Sequence, residues 1–452
     1  MSDSTHAAPS PARPRWRLAL AAALLLSATS AGADAESAPL AFPGAQGWAA
    51  TTPGGRGGAV LRVTTLAPTG PGSLLDALAT RGPRTVVFEV GGVIDLAQTQ
   101  VRITEPYLTI AGQTAPYPGI TLIRGGIDIA THDVVIRHLR VRPGDLGLPK
   151  RAGVDFDAIS LVGGRDIVID HNTLTWATDE NLSASGPRFV DGGRTPADYR
   201  AGTSHRVTFS NNIIAEGLAD STHGKGEHSK GSLIHDNVRD ILIVGNLYAH
   251  NHERNPLFKG AVHGHVINNL IYNPGQRAVH YNLIAEEWLG HEYDTGRMVL
   301  RGNVLRAGPS TETLALFMIG GSGDMELFAD DNLAVDRIGN PLPPLGRYTT
   351  TPVRIVALAR APALPPGVTL LPATAVQDAV IANVGARTWD RDDIDRRIVA
   401  DTIEGRGAII DSQQQVGGYP AYPETRQPFV EADWDMDTME PRKPLPRRAP
   451  LR

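Results

Sequence analysis

The feature that most restricts the fold of this chain is a recurring local pattern: an apolar, β-branched run, an Asn, and a second short apolar run. It occurs at Val168-Ile169-Asp170-His171-Asn172, at Val207-Thr208-Phe209-Ser210-Asn211-Asn212-Ile213-Ile214 and at Ile243-Val244-Gly245-Asn246-Leu247. It returns at Val266-Ile267-Asn268-Asn269-Leu270-Ile271, at Val299-Leu300-Arg301-Gly302-Asn303-Val304 and around Asn332. From Asn172 to Asn332 the intervals are 40, 34, 23, 34 and 29 residues. A fixed pattern at uneven spacing fits a solenoid whose coils need roughly 20–25 residues and carry inserted loops where the interval is longer. A β-sandwich or propeller with ordinary Asn turns is the alternative, though blades would space the pattern more evenly. Asn at one corner of successive coils can bend the chain in left-handed geometry and bond its amide to the next coil as a ladder.

From about residue 86 to about residue 337 short strand patterns dominate, as in Thr85-Val86-Val87-Phe88-Glu89-Val90 and Asp240-Ile241-Leu242-Ile243-Val244, and helical periodicity is scarce. A chain of 452 residues is long for one compact domain, but a repeat architecture grows in one dimension. Ser73 to Ala79 reads as a short helix with Ser73 as N-cap, covering the open apolar end of the first coil. Beyond about residue 338 Pro and Gly cluster, and two helical patterns follow near Val376–Asn383 and Arg391–Asp401. This tail is expected to lie across the coils and cap their other end.

Arg13, Arg15 and Arg17, the apolar run Leu18 to Leu26, and Ala33-Asp34-Ala35 follow the order of an export signal. The chain therefore divides into a signal peptide over 1–35, a coiled β domain with an N-terminal cap over 36–337, and a C-terminal extension over 338–452. There is no Cys, so disulfides and thiolate chemistry are excluded, and a net charge of -5 gives no reason to expect nucleic acid or an anionic membrane as partner.

Asp155, Asp157, Asp170, Asp179 and Glu180 form an acidic group in the middle coils. Carboxylates converging without an evident basic partner favour a hard cation such as Ca²⁺, with Asp157, Asp179 and Glu180 as ligands; solvated turns are the plainer reading, and for Asp170 a structural role stands beside ligation. Lys225, Lys230, Arg254 and Lys259 follow, with His223 and His228 between them. Singly these are ordinary surface charges. Together they form a cationic track beside an acidic patch, which suits a polyanion whose carboxylates are bridged by a metal and held by Lys and Arg. Eleven of the 14 His lie between His171 and His291, so a transition metal at His263-Gly264-His265 or His250-Asn251-His252 is a rival.

Ala41-Phe42-Pro43-Gly44-Ala45-Gln46-Gly47, Ile110-Ala111-Gly112-Gln113-Thr114-Ala115-Pro116, Arg142-Pro143-Gly144-Asp145, Val168-Ile169-Asp170-His171 and Arg391-Asp392-Asp393-Ile394-Asp395-Arg396-Arg397 follow one another along the chain. With these pieces the chain, from about residue 41 to 420, resembles the pectate lyase family, in particular its exported bacterial branch. The resemblance implies a right-handed parallel β-helix and a monomeric lyase that cleaves polygalacturonate or pectin by Ca²⁺-assisted β-elimination. Arg254 then falls on the catalytic arginine, Lys230, Lys259 and His228 on the substrate side, and Asp157 with Asp179 or Glu180 on the calcium site. Leu257 stands where the family commonly has Arg, Lys259 replaces an arginine fork with a point charge, and Ser183 stands where a second carboxylate is common. A glycoside hydrolase using Asp179 and Glu180, and a non-catalytic carbohydrate-binding β-helix, are the competing functions.

Overall fold

The structure, a computed structural model, describes residues 38–446 apart from residue 352; the leader expected over 1–35 lies outside the described residues. Parallel pairing joins each strand to one a coil later, and the chain winds into three stacked sheets. The first is an 11-stranded stack from Ala59–Val63 to Ile355–Ala357. The second runs from Leu139–Arg142 through Thr173–Thr175, Ile213–Ala215, Leu247–Ala249, Leu270–Tyr272 and Val304–Arg306 to Leu333–Val335. The third runs from Ile159–Val162 through Leu182–Ser185, Leu233–Ile234, Leu257–Lys259, Val279–Leu283 and Phe317–Gly321 to Leu345–Arg347. In the first coils one long strand, Ile120–Ile129, serves both the second and third sheets. Parallel crossovers return to their sheet right-handed, and the fold is the right-handed parallel β-helix expected from the repeat and the resemblance.

Stacking is driven by interior columns. Ile110, Ile136, Ile169, Phe209, Ile243, Val266 and Leu300 hold one register position through successive coils of the first sheet. All are buried in a single core, and each such burial is worth about 1.5–3 kcal/mol. In a neighbouring column Gly264 interrupts the row: a Cβ there would lie 2.5 Å from Ile241 and 3.1 Å from the Phe258 ring, which fills the space.

The asparagines do form a ladder. Asn212 Oδ1 accepts from the Asn172 backbone N–H at 2.8 Å, and the contact repeats through Asn246, Asn269, Asn303 and Asn332 at 2.9–3.0 Å. The left-handed bend falls elsewhere than expected. It sits on the preceding residue in each coil, at His171, Asn211, Gly245, Asn268, Gly302 and Asp331, with φ from 47 to 67°. Bending and bonding are thus divided between adjacent residues, because a ladder Asn must turn its backbone N–H toward the next coil while its side-chain oxygen accepts from the coil before.

Among the described residues four α-helices lie outside the coils. Helix α1 (Leu74–Ala79) is N-capped by Ser73 and buries Leu74, Ala77 and Leu78 on the core, as expected. Helix α2 (Pro196–Gly202) was not foreseen, although Thr195 and Asp198 form a capping box and Pro occupies its first turn. Helices α3 (Ala373–Asn383) and α4 (Asp393–Glu404) carry Val376, Val380 and Ile398 onto Ile213, Leu247 and Leu270 of the second sheet. These helices lay the later part of the tail across the coils. It covers the apolar outer face of the second sheet and then runs back to pair Thr425–Arg426 with Val90–Gly91 near the start of the stack. The far end is closed by the first part of the extension, through Leu342 and Val353. Arg142 fastens the tail through Asp392 and Asp395, both at 2.8 Å, and Arg140 adds a bond to Asp395 at 3.2 Å. On the first sheet the N-terminal segment lays Ala41, Phe42, Ala45, Ala49 and Ala50 over Val135 and Val168. No helix among the described residues is long and apolar enough to cross a membrane.

Candidate active site

The outer face of the third sheet carries a cleft of about 370 Å³. Strand alternation places Phe258 in the core and turns Leu257 and Lys259 outward into the cleft. At the corner leading into this sheet Glu180, Lys230 and Glu253 pair through their backbones in successive coils. Their side chains therefore stack at the strand spacing of about 4.8 Å. Asp157 lies one coil earlier, where its Oδ1 accepts from the Glu180 N–H at 2.9 Å. Arg254 follows Glu253 with φ 61°, a left-handed backbone that costs about 1–2 kcal/mol in a non-glycine residue, and its guanidinium reaches Glu180.

The structure brings Asp157, Asp179 and Glu180 together, with oxygens of all three within 4.8 Å of one another. Burial, and then the neighbouring carboxylates, push Asp157 and Glu180 above the usual carboxylate range. Asp179 goes the other way: burial opposes its charge, but His228, Arg254 and His223 outweigh it. Three crowded hard-oxygen donors with surplus negative charge suit a hard divalent ion such as Ca²⁺. The expectation that they lack basic partners is corrected, since Glu180 meets Arg254 and Asp179 accepts from His228 Nε2 at 2.7 Å. Asp157 instead accepts the Ser183 hydroxyl at 2.8 Å, so Ser183 supports the first carboxylate where a further one was expected.

His223 and His228 stack with ring centroids 3.8 Å apart. His223 Nδ1 accepts from the Lys225 N–H at 3.1 Å, which leaves its proton on Nε2, 3.8 Å from both Asp155 and Asp179. His228 thus orients Asp179 through one hydrogen bond while His223 stacks behind it, and Asp179, His223 and His228 together form a second group close enough to hold a metal ion. Asp170 is not part of this group. It lies on another flank, bonded to Arg137 at 3.0 Å, to His171 at 2.7 Å and to the Ser210 hydroxyl at 2.8 Å. The rival histidine pairs form no metal cluster among the described residues: His263 bonds to Thr295 O at 3.0 Å, and His250 takes the Asn273 amide at 2.8 Å.

Lys230, Arg254 and Lys259 do line one cleft, with Lys225 and His228 at its edge, but the track is not bare positive charge. Lys230 pairs with Glu253, which also takes Arg277. Lys259 pairs with Glu287 and lies 3.6 Å from Asp236. Burial works against the charge of Arg254, yet Glu180, Glu253 and Asp179 together raise its pKa. Sequence reasoning missed Glu253, Arg277, Asp236 and Glu287. For Glu253 the signal was at hand in its position directly before Arg254; the others meet their partners across coils whose register depends on inserted loops.

No family model matches the chain. Probable pectate lyase C of Aspergillus terreus is 35% identical over 280 residues, which cover 62% of this chain and 57% of that protein. Its counterpart in Neosartorya fischeri is 34% identical over 314 residues, 69% of this chain and 64% of the relative. The chain thus spans about three-fifths of the length of these curated relatives. Among solved structures, jun a 1, the major allergen from cedar pollen, superposes with a TM-score of 0.52 at 17% identity, over 75% of this chain and 92% of that one. At that identity the likeness speaks for the fold alone. In sequence, then, the chain is similar to probable pectate lyases, and in fold to jun a 1.

Proposed function

We propose that this chain is an exported polysaccharide lyase that binds polygalacturonate or pectin in the third-sheet cleft and cleaves it by Ca²⁺-assisted β-elimination, working as a monomer. The observation that carries this reading is the stacking of a carboxylate trio, Lys230 and Arg254 at one corner of successive coils beside an open cleft. In the reaction the C5 proton of a galacturonate unit leaves and its electron pair forms the C4–C5 double bond. The C4–O bond breaks, and the released oxygen takes a proton from solvent. Ca²⁺, held by Asp157, Asp179 and Glu180, would supply Lewis-acid neutralisation of the substrate carboxylate.

The chain's own groups set the rest. Lys230, buried at the corner, fixes positive charge where negative charge accumulates as the proton leaves. Arg254 is the group in position to receive that proton. A guanidinium normally keeps its own proton, and Glu180 at present supports the charged form. The role therefore requires Glu180 to be drawn off Arg254 in the working complex. His228 and His223 keep Asp179 ionised and oriented. The hydrolase alternative needs two carboxyl groups about 5–5.5 Å or 6.5–9.5 Å apart with one free to donate a proton. Asp179 and Glu180 are closer, within 4.8 Å, and each is tied to a basic side chain.

The test is purified protein with polygalacturonate, with and without Ca²⁺, read by ultraviolet absorbance of unsaturated ends. Product that appears only with Ca²⁺ supports the reading. Full activity in excess chelator removes the metal from it, new reducing ends without unsaturation mean a hydrolase, and binding without cleavage means a carbohydrate-binding protein.

A further inference from the structure

We propose that the part of the cleft beyond Arg254 takes an uncharged, methyl-esterified uronate, with Glu287 as the residue that sets this preference; the inference rests on the lyase reading above. Around Arg254, Lys230 and Arg277 share the single carboxylate of Glu253, and Arg254 faces Glu180, whose charge a divalent ion would neutralise, so an anionic sugar unit is welcome there. The next stretch of floor is different. Leu257, where the family resemblance implies a cation, is buried and sits in register with Leu233, and Ile284 borders the same cleft. An ester methyl finds apolar contact on these side chains, whereas a free carboxylate has only the uncharged Asn282 and the ring of His280, paired with Lys259 and Leu257 in the next coil, to replace the hydrogen bonds it loses from water.

The nearby cations are already answered. Lys259 meets Glu287, and Arg188 Nη2 lies 2.6 Å from the same carboxylate. Asp236 takes the other side of both, 3.6 Å from Lys259 and 3.0 Å from Arg188 Nε. It is wholly buried and fixed by the Trp288 indole N–H at 2.7 Å and the Gly260 N–H at 3.0 Å. Two cations against two carboxylates leave no net charge for a substrate carboxylate. Glu287, on the short turn Ala285–Trp288 with a third of its side chain exposed (33%), would oppose one directly.

The experiment uses the full chain with polygalacturonates of equal length and graded methyl-esterification, read as kcat/KM for unsaturated product at saturating Ca²⁺. A maximum at intermediate esterification is expected. Glu287→Gln leaves Lys259 in net positive surroundings and should move the ratio of unesterified to half-esterified substrate by about tenfold toward the unesterified, the scale on which a pocket discriminates small groups. Leu257→Arg should move it the same way without touching the Glu287 turn. Calorimetry of Arg254→Lys protein with trigalacturonate and its methyl ester tests the subsite apart from turnover, the ester binding more tightly if the subsite is as described. Absence of unsaturated product from every polymer would sink the lyase reading. A steady fall of kcat/KM with esterification, an unshifted ratio in both variants, or tighter binding of the unesterified trimer overturns the subsite alone.

Discussion

Replacing Asn246 with Ala tests whether the asparagine ladder holds the coils together. Asn246 is fully buried, and its side chain makes five hydrogen bonds: it accepts from the Asn212 backbone N–H and amide, and donates to Phe209 O, Val244 O and Asn269 Oδ1. Two acceptors keep other donors, Val244 O from the Asn211 N–H and Asn269 Oδ1 from the Asn246 N–H. The Asn212 N–H is left buried without its partner, at about 1–3 kcal/mol, and the lost net bonds add about 0.5–1.5 kcal/mol each at most. Asn246→Ala should therefore cost about 3–5 kcal/mol. Asn332, the last rung, bonds only back toward Asn303 and is half-buried, so water replaces much of what Asn332→Ala removes, and the expected cost is about 1 kcal/mol. Urea unfolding gives the two losses, and hydrogen exchange over residues 209–214 shows whether the Asn212 amide opens. Because coils interact mainly with their neighbours, the midpoints are compared along with the cooperativity of the transitions. Equal losses at both positions, or a loss below about 1 kcal/mol at Asn246, would refute the idea that the ladder's strength lies in buried, two-sided rungs.

Three further outcomes are expected. Arg254→Lys should lower turnover by about a hundredfold or more with little change in unfolding midpoint, which steady-state kinetics with unfolding controls will check. Arg142→Met should destabilise by about 3–5 kcal/mol, because it leaves Asp392 and Asp395 buried with reduced compensation; proteolysis of the tail after residue 372 should accelerate with it. Asp170 is held below the usual carboxylate range because His171 and Arg137 outweigh its burial, so its contribution is present above the unfolded value of about 4 and is lost as pH falls below it. Asp170→Asn should flatten the acid side of the stability–pH curve, and an unchanged acid slope would remove Asp170 from the account.

The coils were legible in the sequence because their cause is local and repeated: β-branched runs for the strands and an Asn at each corner. Helices α1, α3 and α4 were legible for the same reason, while α2 was hidden inside an insertion rich in polar residues despite its capping box. The site was legible only in part. Asp157, Asp179, Glu180, Lys230 and Arg254 are polar residues that recur coil by coil, and the fold collects them. What could not be read was pairing: which cation meets which carboxylate depends on loop lengths that set register, so Glu253, Arg277 and Glu287 went unnoticed. Some of the motifs that carry the resemblance proved to be fastenings. Arg142 with Asp392 and Asp395 holds the tail, and Gln113 donates to Met439 O at 3.0 Å.

Asp157, Glu180, Lys230 and Glu253 come from four turns of the solenoid, and their order along its axis is what makes them neighbours. Excising a single turn would leave a shorter but well-formed spiral, with every surviving strand still matched to a partner. It would also shift each charge against the next by one storey and dissolve the constellation. Stability here is a property of the parts, while chemistry belongs only to their sequence of assembly.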